Sequence, residues 1–166
     1  MLNEEMIDRI NKLATQFRNA LDAAHRAGEF AEDPWFKSTA FPKGCCGDVC
    51  YLLEHYLLEQ GIPTYHVWGE YNDENPNNYQ SHAWLLTTDF SHTIDITGDQ
   101  FIDNPLFLNY SHKVYVGKQD ELHHMFKVEE RNIRDSCRLS ELRCMDESRL
   151  PRIYSTVINY IKHNIY

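Results

Sequence analysis

Apolar residues recur with a helical period near both ends of the chain. From about residue 3 to residue 27, one stripe comprises Met6, Ile10, Leu13, Phe17, Leu21 and Ala24. Gly28 follows this stripe as a stop signal. Near the C-terminus, Ser148 and Pro151 are typical of a helix start, and a second stripe comprises Ile153, Tyr154, Val157, Ile158 and Ile161. The pattern predicts two amphipathic helices whose apolar stripes pack onto the core.

The middle of the chain combines one helical segment with several strand-like segments. Helical character runs from Cys50 to Gln60 and ends at Gly61. Segments with strand character, bounded by polar turn residues, lie at 64–71, 81–86, 93–97 and 113–116. Short helices are expected at 119–126 and from residue 141 onward. This order predicts an α+β fold, in which a central helix packs on a small antiparallel sheet between flanking N- and C-terminal helices.

Length, composition and charge narrow the classes of function. A chain of 166 residues without a linker-like run predicts a single domain over residues 1–166. The net charge of -9, with 25 acidic against 16 basic residues, argues against binding to nucleic acid or to an anionic membrane surface. No segment approaches the ~18 apolar residues that span a bilayer, and no signal core is visible, so we expect a cytoplasmic protein. The odd number of cysteines, 5, does not indicate a disulfide framework.

The segment 41–53, F-P-K-G-C-C-G-D-V-C-Y-L-L, is the strongest candidate for chemistry. Its turn residues oppose regular helix, so the adjacent Cys45 and Cys46 should lie where the following helix begins. Unpaired N–H groups and the positive end of the helix dipole stabilise a thiolate there. Gly44 and Gly47 leave room for a substrate carbonyl whose oxyanion could bind a backbone N–H group. We therefore predict a nucleophile at this helix start.

A histidine and a carboxylate lie on the two strands that follow. If the hairpin turn is centred between residues 88 and 89, His82 and Asp95 face each other across the two strands. A thiol together with such a histidine and carboxylate is the arrangement that nucleophilic thiol catalysis needs. Asp99 is the alternative carboxylate if the register differs. Gln100 either supports the site by hydrogen bonding or caps the following turn.

Three motifs in this region resemble those of a known superfamily. They are F-P-K-G-C-C-G-D at 41–48, S-H-A-W-L at 81–85 and I-D-I-T-G-D-Q-F at 94–101. Their order is similar to that of the transglutaminase-like branch of papain-like cysteine enzymes, and more narrowly to an uncharacterised bacterial family of small transglutaminase-like proteins. The resemblance implies a papain-like fold with Cys46 as nucleophile, since this cysteine directly precedes Gly-Asp. It further implies His82 as general base and Asp95 as the residue that orients it.

The superfamily spans peptidases, amidases, deamidases and acyltransferases, so the resemblance implies a reaction class. We expect a cysteine-dependent hydrolase that acts on an amide or ester bond of a peptide, protein or small amide, without a cofactor. Acyl transfer to an amine, a non-catalytic peptide-binding module and a redox sensor built on Cys45, Cys46 and Cys50 are alternatives. The candidates for contact with substrate or oxyanion are Gly44, Cys45, Gly47, Asp99 and Gln100.

A metal site is an alternative interpretation of other residues in the chain. The possible ligands are His123, His124, Cys137 and Cys144, but the chain has neither a C-x-x-C pair nor an H-E-x-x-H helix. The H-x-E and P-C-x-x-C pattern of zinc deaminases is also missing. We therefore expect no metal. The sequence leaves the substrate and the oligomeric state open.

Overall fold

The computed structural model describes residues 2–37, 40–142 and 148–166. Its helices are α1 (Glu4–Arg26), α2 (Cys46–Glu59), α3 (Glu121–His124) and α4 (Arg149–His163). Its strands are β1 (Thr64–Tyr71), β2 (Gln80–Thr87), β3 (Thr93–Asp95), β4 (Tyr115–Gly117) and β5 (Ile133–Asp135). The strands form one antiparallel sheet in the order β4-β3-β2-β1-β5. These elements confirm the predicted α+β class.

The two terminal helices pack against each other and against α2. Asn3 caps α1 by accepting a hydrogen bond from the Met6 N–H, and Gly28 follows the helix with a φ of 78°. Both predicted apolar stripes contribute to the main hydrophobic core, as shown by Phe17 and Val157, which are fully buried. This confirms core packing as the role of the stripes. In the part of the chain that the structure describes, no helix is long and apolar enough to cross a membrane.

Helix α2 carries the cysteines and lies against the sheet. It begins at Cys46, with Cys45 as the preceding cap residue, so the prediction that these cysteines lie at a helix start is confirmed. The helix packs on β1 and β2 through fully buried side chains such as Leu53 and Leu57. Gly61 follows the helix with a φ of 75°, a conformation that glycine adopts without strain.

The predicted register of the hairpin between β2 and β3 is wrong by two residues. Leu85 pairs with Ile94, and the turn is centred between residues 89 and 90. Side chains on a strand alternate between faces with a period of two, so a shift of two residues leaves every side chain on its predicted face. His82 and Asp95 therefore lie on the same face, as diagonal neighbours that do not face each other directly.

Several short elements differ from the sequence pattern. Strand β5, which pairs with β1 at the sheet edge, was not predicted, and β4 begins two residues later than expected. Helix α3 has four residues and is shorter than the predicted 119–126 segment. The helix predicted from residue 141 is wrong at its start, where Leu139–Glu141 form a 3-10 turn. Its continuation at 143–147 lies outside the described residues.

Candidate active site

Cys46 lies at the first position of α2, with a side chain only 7% exposed. The first N–H groups of a helix have no intrahelical acceptor, and the N–H group of Cys46 bonds no backbone acceptor among the described residues. The N–H group of Cys45 differs because it donates to the Pro42 carbonyl at 3.0 Å. Of the two cysteines, Cys46 therefore offers a free backbone donor beside its own thiol.

His82 is fully buried on β2 and links the thiol to Asp95. Its Nε2 lies 2.8 Å from Asp95 Oδ2, and its ring and the Cys46 thiol shift each other's pKa. Burial lowers the pKa of His82, but the charge of Asp95 and the hydrogen bonds to Asp95 and Cys46 outweigh burial and raise this pKa to about 10. The three residues predicted to act together are thus brought together by the fold.

Asp95 is a carboxylate whose hydrogen-bonding capacity is filled. Its Oδ2 accepts from His82 and, at 3.2 Å, from His123, while its Oδ1 accepts from the Thr97 N–H at 2.8 Å and the Thr97 hydroxyl at 3.1 Å. Burial alone would raise the pKa of Asp95. The charge of His82 and the hydrogen bonds from both histidines instead hold this pKa well below its usual range. Asp95 is therefore a fixed anion at the centre of the site.

The pKa values separate Cys46 from the other cysteines of α2. Burial raises the pKa of the Cys46 thiol, but hydrogen bonds and charge from His82, with further hydrogen bonds from the Ala83 N–H and Gln100, outweigh it, so the pKa is lowered. Burial raises the pKa of Cys45 to about 12 and that of Cys50 well above its ordinary value. Cys46 is the one thiol among these three that the structure favours as thiolate.

The short length of β3 makes the Ala83 N–H available to the thiol. Thr87 donates to the His92 carbonyl and Leu85 pairs with Ile94, so the N–H groups at alternate positions of β2 point toward β3. Ala83 is the next such position, but β3 ends at Asp95 and pairs with β2 only through Ile94 and Thr93. Its N–H group instead helps to lower the pKa of the Cys46 thiol.

Gln100 is part of the site, and of its two alternative roles the structure shows the hydrogen bond to a site residue. Its side-chain Nε2 lies 2.7 Å from His82 Nδ1, and the same side chain helps to lower the pKa of the Cys46 thiol. An amide offers both a donor and an acceptor, so Gln100 can bond His82 Nδ1 in either protonation state of the ring. Its partly exposed position places an N–H donor beside the thiol.

Asp99 does not orient His82, so its alternative role is wrong. Its carboxylate forms a two-point ion pair with Arg18 of α1, at 2.8 Å from Nη1 and 2.7 Å from Nη2. Arg18 also donates to the Ile96 and Lys113 carbonyls and bonds Asp22 at 2.9 Å. Asp99 therefore fixes α1 to the segment that carries Asp95 and Gln100.

The glycine candidates and Cys45 surround the thiol in different ways. A Cβ atom added at Gly44 or Gly47 would meet no atom within 4 Å, so space is open on both sides of the cysteine pair. Gly44 has a φ of 78°, which favours glycine. The Cys45 sulfur lies 3.7 Å from the Trp35 carbonyl and 3.9 Å from the Lys43 carbonyl, and Cys45 is 1% exposed. Cys45 is thus unsuited to contact a substrate, contrary to expectation.

An apolar and aromatic shell surrounds His82. The rings of Trp84, Phe101 and Phe126 lie 5.3 to 5.7 Å from its ring centre. These rings belong to the second hydrophobic cluster of the molecule, on the side of the sheet that carries α3. Low polarity strengthens the electrostatic interactions between Cys46, His82 and Asp95.

His123 is a site residue that the sequence did not identify in this role. It lies on α3 with Nε2 3.2 Å from Asp95 Oδ2 and Nδ1 2.5 Å from Asp120 Oδ1. The local pattern D-E-L-H predicts a helix cap by Asp120, which also accepts from the His123 N–H at 3.2 Å. No local pattern indicates that this helix would end against Asp95, since that contact depends on the tertiary fold.

Among the described residues, one group brings three potential metal-ligand atoms together. His82 Nε2, Asp95 Oδ2 and His123 Nε2 lie within 4.8 Å of one another, and all three residues are buried. The 2.8 and 3.2 Å contacts of Asp95 Oδ2 are hydrogen-bond distances. His124 is exposed on α3, while Cys144 lies outside the described residues. The expected absence of a metal stays a prediction.

Cys137, another of the possible metal ligands, belongs to a separate cluster around the buried Glu54. His66 Nδ1 lies 3.1 Å from Glu54 Oε2, and Arg134 bonds Glu54 Oε1 at 2.8 Å. The Cys137 sulfur lies 3.4 Å from Glu54 Oε1 and contacts Arg134. His66 is thus held by hydrogen bonds away from Cys46, His82 and Asp95. This cluster joins α2, β1 and the segment around β5.

Comparison of the chain with protein-family models, with curated proteins and with solved structures found no match in any of the three searches.

Proposed function

We propose that this protein is a cysteine-dependent hydrolase of the transglutaminase-like, papain-like type, acting on an amide or ester bond. The observation that carries the proposal is the buried His82, which bonds Asp95 through Nε2 at 2.8 Å and lowers the pKa of the Cys46 thiol through its charge and hydrogen bonding. This arrangement supplies a nucleophile, a base and an orienting anion, and the base and the anion lie at hydrogen-bond distance. The lowered pKa of Cys46 supports the same assignment.

The first half of the reaction forms an acyl-enzyme. The Cys46 thiolate attacks the carbonyl carbon, and a C–S bond forms as the carbonyl π electrons move to oxygen. The Cys46 N–H and the Gln100 amide are the donors that bind this oxyanion. When the oxyanion collapses, the bond to the leaving amine or alcohol breaks, and the His82 imidazolium donates its proton to that group.

The second half releases the acid. His82, now neutral, accepts a proton from water as the water oxygen attacks the thioester carbon. Collapse of the second tetrahedral intermediate breaks the C–S bond and leaves the product carboxylic acid and the Cys46 thiolate with charged His82. Asp95 holds the Nε2–H tautomer of His82 through both halves and keeps its own negative charge.

Substrate approach is restricted to the side of the thiol beside the glycines. His82 and Asp95 are inaccessible, at 0% and 1% exposure, and Cys46 is exposed only at its edge. Space is open around Gly44 and Gly47, which flank the cysteine pair along the chain. We infer that a peptide, protein or small amide presents its carbonyl from this side. An amine that enters the same space would convert hydrolysis into acyl transfer.

The geometry favours hydrolysis over the redox-sensor hypothesis. A resolving thiol must itself reach the thiolate form to close a disulfide quickly. Cys45 has a pKa raised to about 12, and the Cys50 thiol is deeply buried with its pKa raised. Neither neighbour is therefore suited to resolve an oxidised Cys46.

Acylation by an activated ester tests the proposal directly. The protein is mixed with p-nitrophenyl acetate, quenched in acid and analysed by intact-protein and peptide mass spectrometry. We expect one acetyl group on Cys46, its loss by hydrolysis on longer incubation, and faster loss when an amine is added if transfer competes. The Cys45→Ser and Cys50→Ala variants serve as controls and should acylate normally. Acylation that persists in Cys46→Ala, or that occurs equally on other cysteines, would contradict the proposal.

A further inference from the structure

A second histidine and a second carboxylate extend the polar chain beyond Asp95. His123 is fully buried and lies between Asp95 and Asp120, with one ring nitrogen on each carboxylate at 3.2 and 2.5 Å. An ionised carboxylate only accepts hydrogen bonds, so each His123 nitrogen must carry a proton to make both contacts. His123 is therefore an imidazolium that bridges two anions.

The position of His123 is itself determined by several elements. Asp120 caps α3 and accepts a hydrogen bond from the Tyr110 hydroxyl at 2.6 Å. The Tyr115 ring of β4 stacks on the His123 ring, with centres 5.8 Å apart. Trp84 of β2 covers another side of the ring, at 5.1 Å between centres. The imidazolium is thus a rigid part of the fold, unlike an exposed side chain that samples several rotamers.

We propose that His123, held by Asp120, is a positioning residue of the active site: it fixes Asp95 Oδ2 where this oxygen accepts the Nε2–H of His82. The inference rests on the proposed function and adds His123 and Asp120 to the residues that serve it. Thr97 fixes the other carboxylate oxygen, Oδ1, through its N–H and hydroxyl groups. Donors from β2, from α3 and from Thr97, two residues after the end of β3, thereby hold Asp95 from three directions.

The charges around His123 support this role. The groups that face it are Asp95 from β3, Asp120 before α3, His82 from β2 at 6.0 Å between ring centres, and the hydroxyl-bearing Tyr110 and Tyr115. Burial lowers the pKa of His123, but the hydrogen bonds to Asp120 and Asp95 outweigh it and raise this pKa. The negative charges of Asp95 and Asp120 then balance the positive charges of His82 and His123. A Cys46 thiolate therefore adds a single net negative charge, which a substrate carbonyl meets.

Two substitutions separate a contact with Asp95 from a general structural role. The Nε2 of histidine lies one bond farther from Cγ than Nδ1 does, so the amide nitrogen of glutamine approaches the Nε2 position and that of asparagine the Nδ1 position. His123→Gln therefore retains a donor to Asp95, whereas His123→Asn retains only the contact to Asp120. The exposed neighbour His124, which contacts the Asp120 carbonyl through Nδ1, provides the matched control His124→Asn.

The readout is the rate at which iodoacetamide alkylates Cys46, measured by peptide mass spectrometry from about pH 5 to about pH 9. In His123→Asn we expect Asp95 to move and the pKa of Cys46 to rise by about one unit, which lowers the rate about tenfold at pH values below that pKa. The rate at high pH, where every thiol is ionised, should stay within about twofold. His123→Gln and His124→Asn should retain the profile of the unchanged protein.

An unaltered profile in His123→Asn would overturn the inference, as would equal losses in His123→Gln and His123→Asn. If the unchanged protein shows no lowered pKa at Cys46 and His82→Ala has no effect, the proposed function itself fails, and this inference fails with it. Retention of the proposed function with an unaltered His123→Asn profile refutes the inference alone. Thermal melting of each variant verifies that it is folded.

A second variant covers the case in which His123→Asn does not fold. Asp120→Asn leaves His123 in place but removes the anion that holds it, so a smaller loss of reactivity in the same direction is expected. An unaltered Asp120→Asn profile would then overturn the inference. Metal analysis of the purified protein adds an independent criterion. If the protein contains stoichiometric zinc, and its removal by a chelator changes the reactivity of Cys46, the inference is overturned. His123 is then a metal ligand and does not act as a positioning residue.

Discussion

At the scale of single residues, two adjacent cysteines have opposite electrostatic environments. Cys45 lies among carbonyl oxygens and near Asp48 and Asp33, and burial together with these charges raises its pKa to about 12. Cys46 receives hydrogen bonds from His82, from a strand N–H and from an amide, and its pKa is lowered despite burial. The difference arises from the direction in which each side chain points as the helix begins, since both share the same end of the helix dipole.

Gln100→Ala tests the donor beside the thiol. Removal of one oxyanion donor typically costs a factor of about 10² to 10³ in turnover. We therefore expect kcat for p-nitrophenyl acetate to fall by about this factor, with little change in KM. The exposed Gln119 provides the control variant Gln119→Ala, which should retain full activity. Loss of less than about threefold in Gln100→Ala would remove Gln100 from the oxyanion site.

At the scale of elements, α1 holds the loop that follows β3. Arg18 of α1 is 2% exposed, and its guanidinium bonds Asp99, Asp22 and two backbone carbonyls near the site. The residues on either side of this contact are Thr97, which bonds Asp95, and Gln100, which bonds His82. A buried ion pair between distant parts of the chain thus fixes the segment on which two site residues lie.

Asp99→Asn should destabilise the protein by about 2 to 3 kcal/mol, because it leaves the buried Arg18 charge with one anion fewer. Urea unfolding followed by circular dichroism measures this change. The double variant Arg18→Met/Asp99→Leu, which removes both charges, should recover most of the loss. A single variant as stable as the unchanged protein would show that Asp22 alone compensates Arg18.

The aromatic shell around His82 packs against β1 at Gly69, where the strand has no side chain. Gly69 pairs with His82, and a Cβ atom added there would lie 2.7 Å from the Phe126 Cβ and 2.8 Å from the Trp84 ring. Gly69→Ala should therefore destabilise the protein by about 1 to 3 kcal/mol through overpacking, as measured by urea unfolding. Gly47→Ala is the matched control, since its added Cβ meets no atom within 4 Å and stability should not fall. Equal stabilities of the two variants would contradict this packing.

At the scale of the whole molecule, the buried charges predict how stability depends on pH. Asp95 has a folded pKa well below its usual range and Asp120 one of about 2, so their contribution is present above about pH 4 and is lost as the pH falls below it. The pKa of His82 is raised to about 10 and that of His123 is also raised. Their contribution is therefore complete below about pH 6.5 and is lost as the pH rises through these raised pKa values. Because the pKa of Cys46 is lowered in the folded protein, ionisation of this thiol offsets the stability lost from one histidine as the pH rises.

We therefore expect the free energy of unfolding to be greatest between about pH 4 and about pH 6.5 and to fall on either side. Urea unfolding across this range, at constant ionic strength, measures the profile. In Cys46→Ala the alkaline decline should be steeper, because the thiolate no longer offsets a histidine. A maximum above pH 8 would contradict the charge states assigned to the two histidines.

The sequence predicted the parts of this fold that depend on local spacing. Periodicity located both terminal helices, and alternation placed His82 and Asp95 on one face even though the register was wrong. The register depends on the turn at 88–91, where Asp89 accepts from the Thr87 hydroxyl and from the N–H and hydroxyl of Ser91. Hydrogen bonds of a single carboxylate select this turn, and strand periodicity carries no information about them.

Other features depend on contacts between distant residues. Strand β5 has three residues and forms where β1 offers a free edge, so its sequence alone carries little strand signal. The role of Asp99 depends on Arg18, and that of His123 on Asp95, each a partner from another element. Local patterns indicated that these residues are polar and placed them near turns or caps, but only the tertiary structure identifies their partners.

The most direct test of the account is the pH dependence of alkylation at Cys46 in the unchanged protein and in His82→Ala, resolved by peptide mass spectrometry. We expect that Cys46 reacts well below pH ~8, that Cys45 does not, and that Cys46 loses this reactivity without His82. A Cys46 that reacts only near its ordinary pKa of ~8.5, or equally in both proteins, would contradict the nucleophile assignment. The non-catalytic peptide-binding module would then be the better description of this fold.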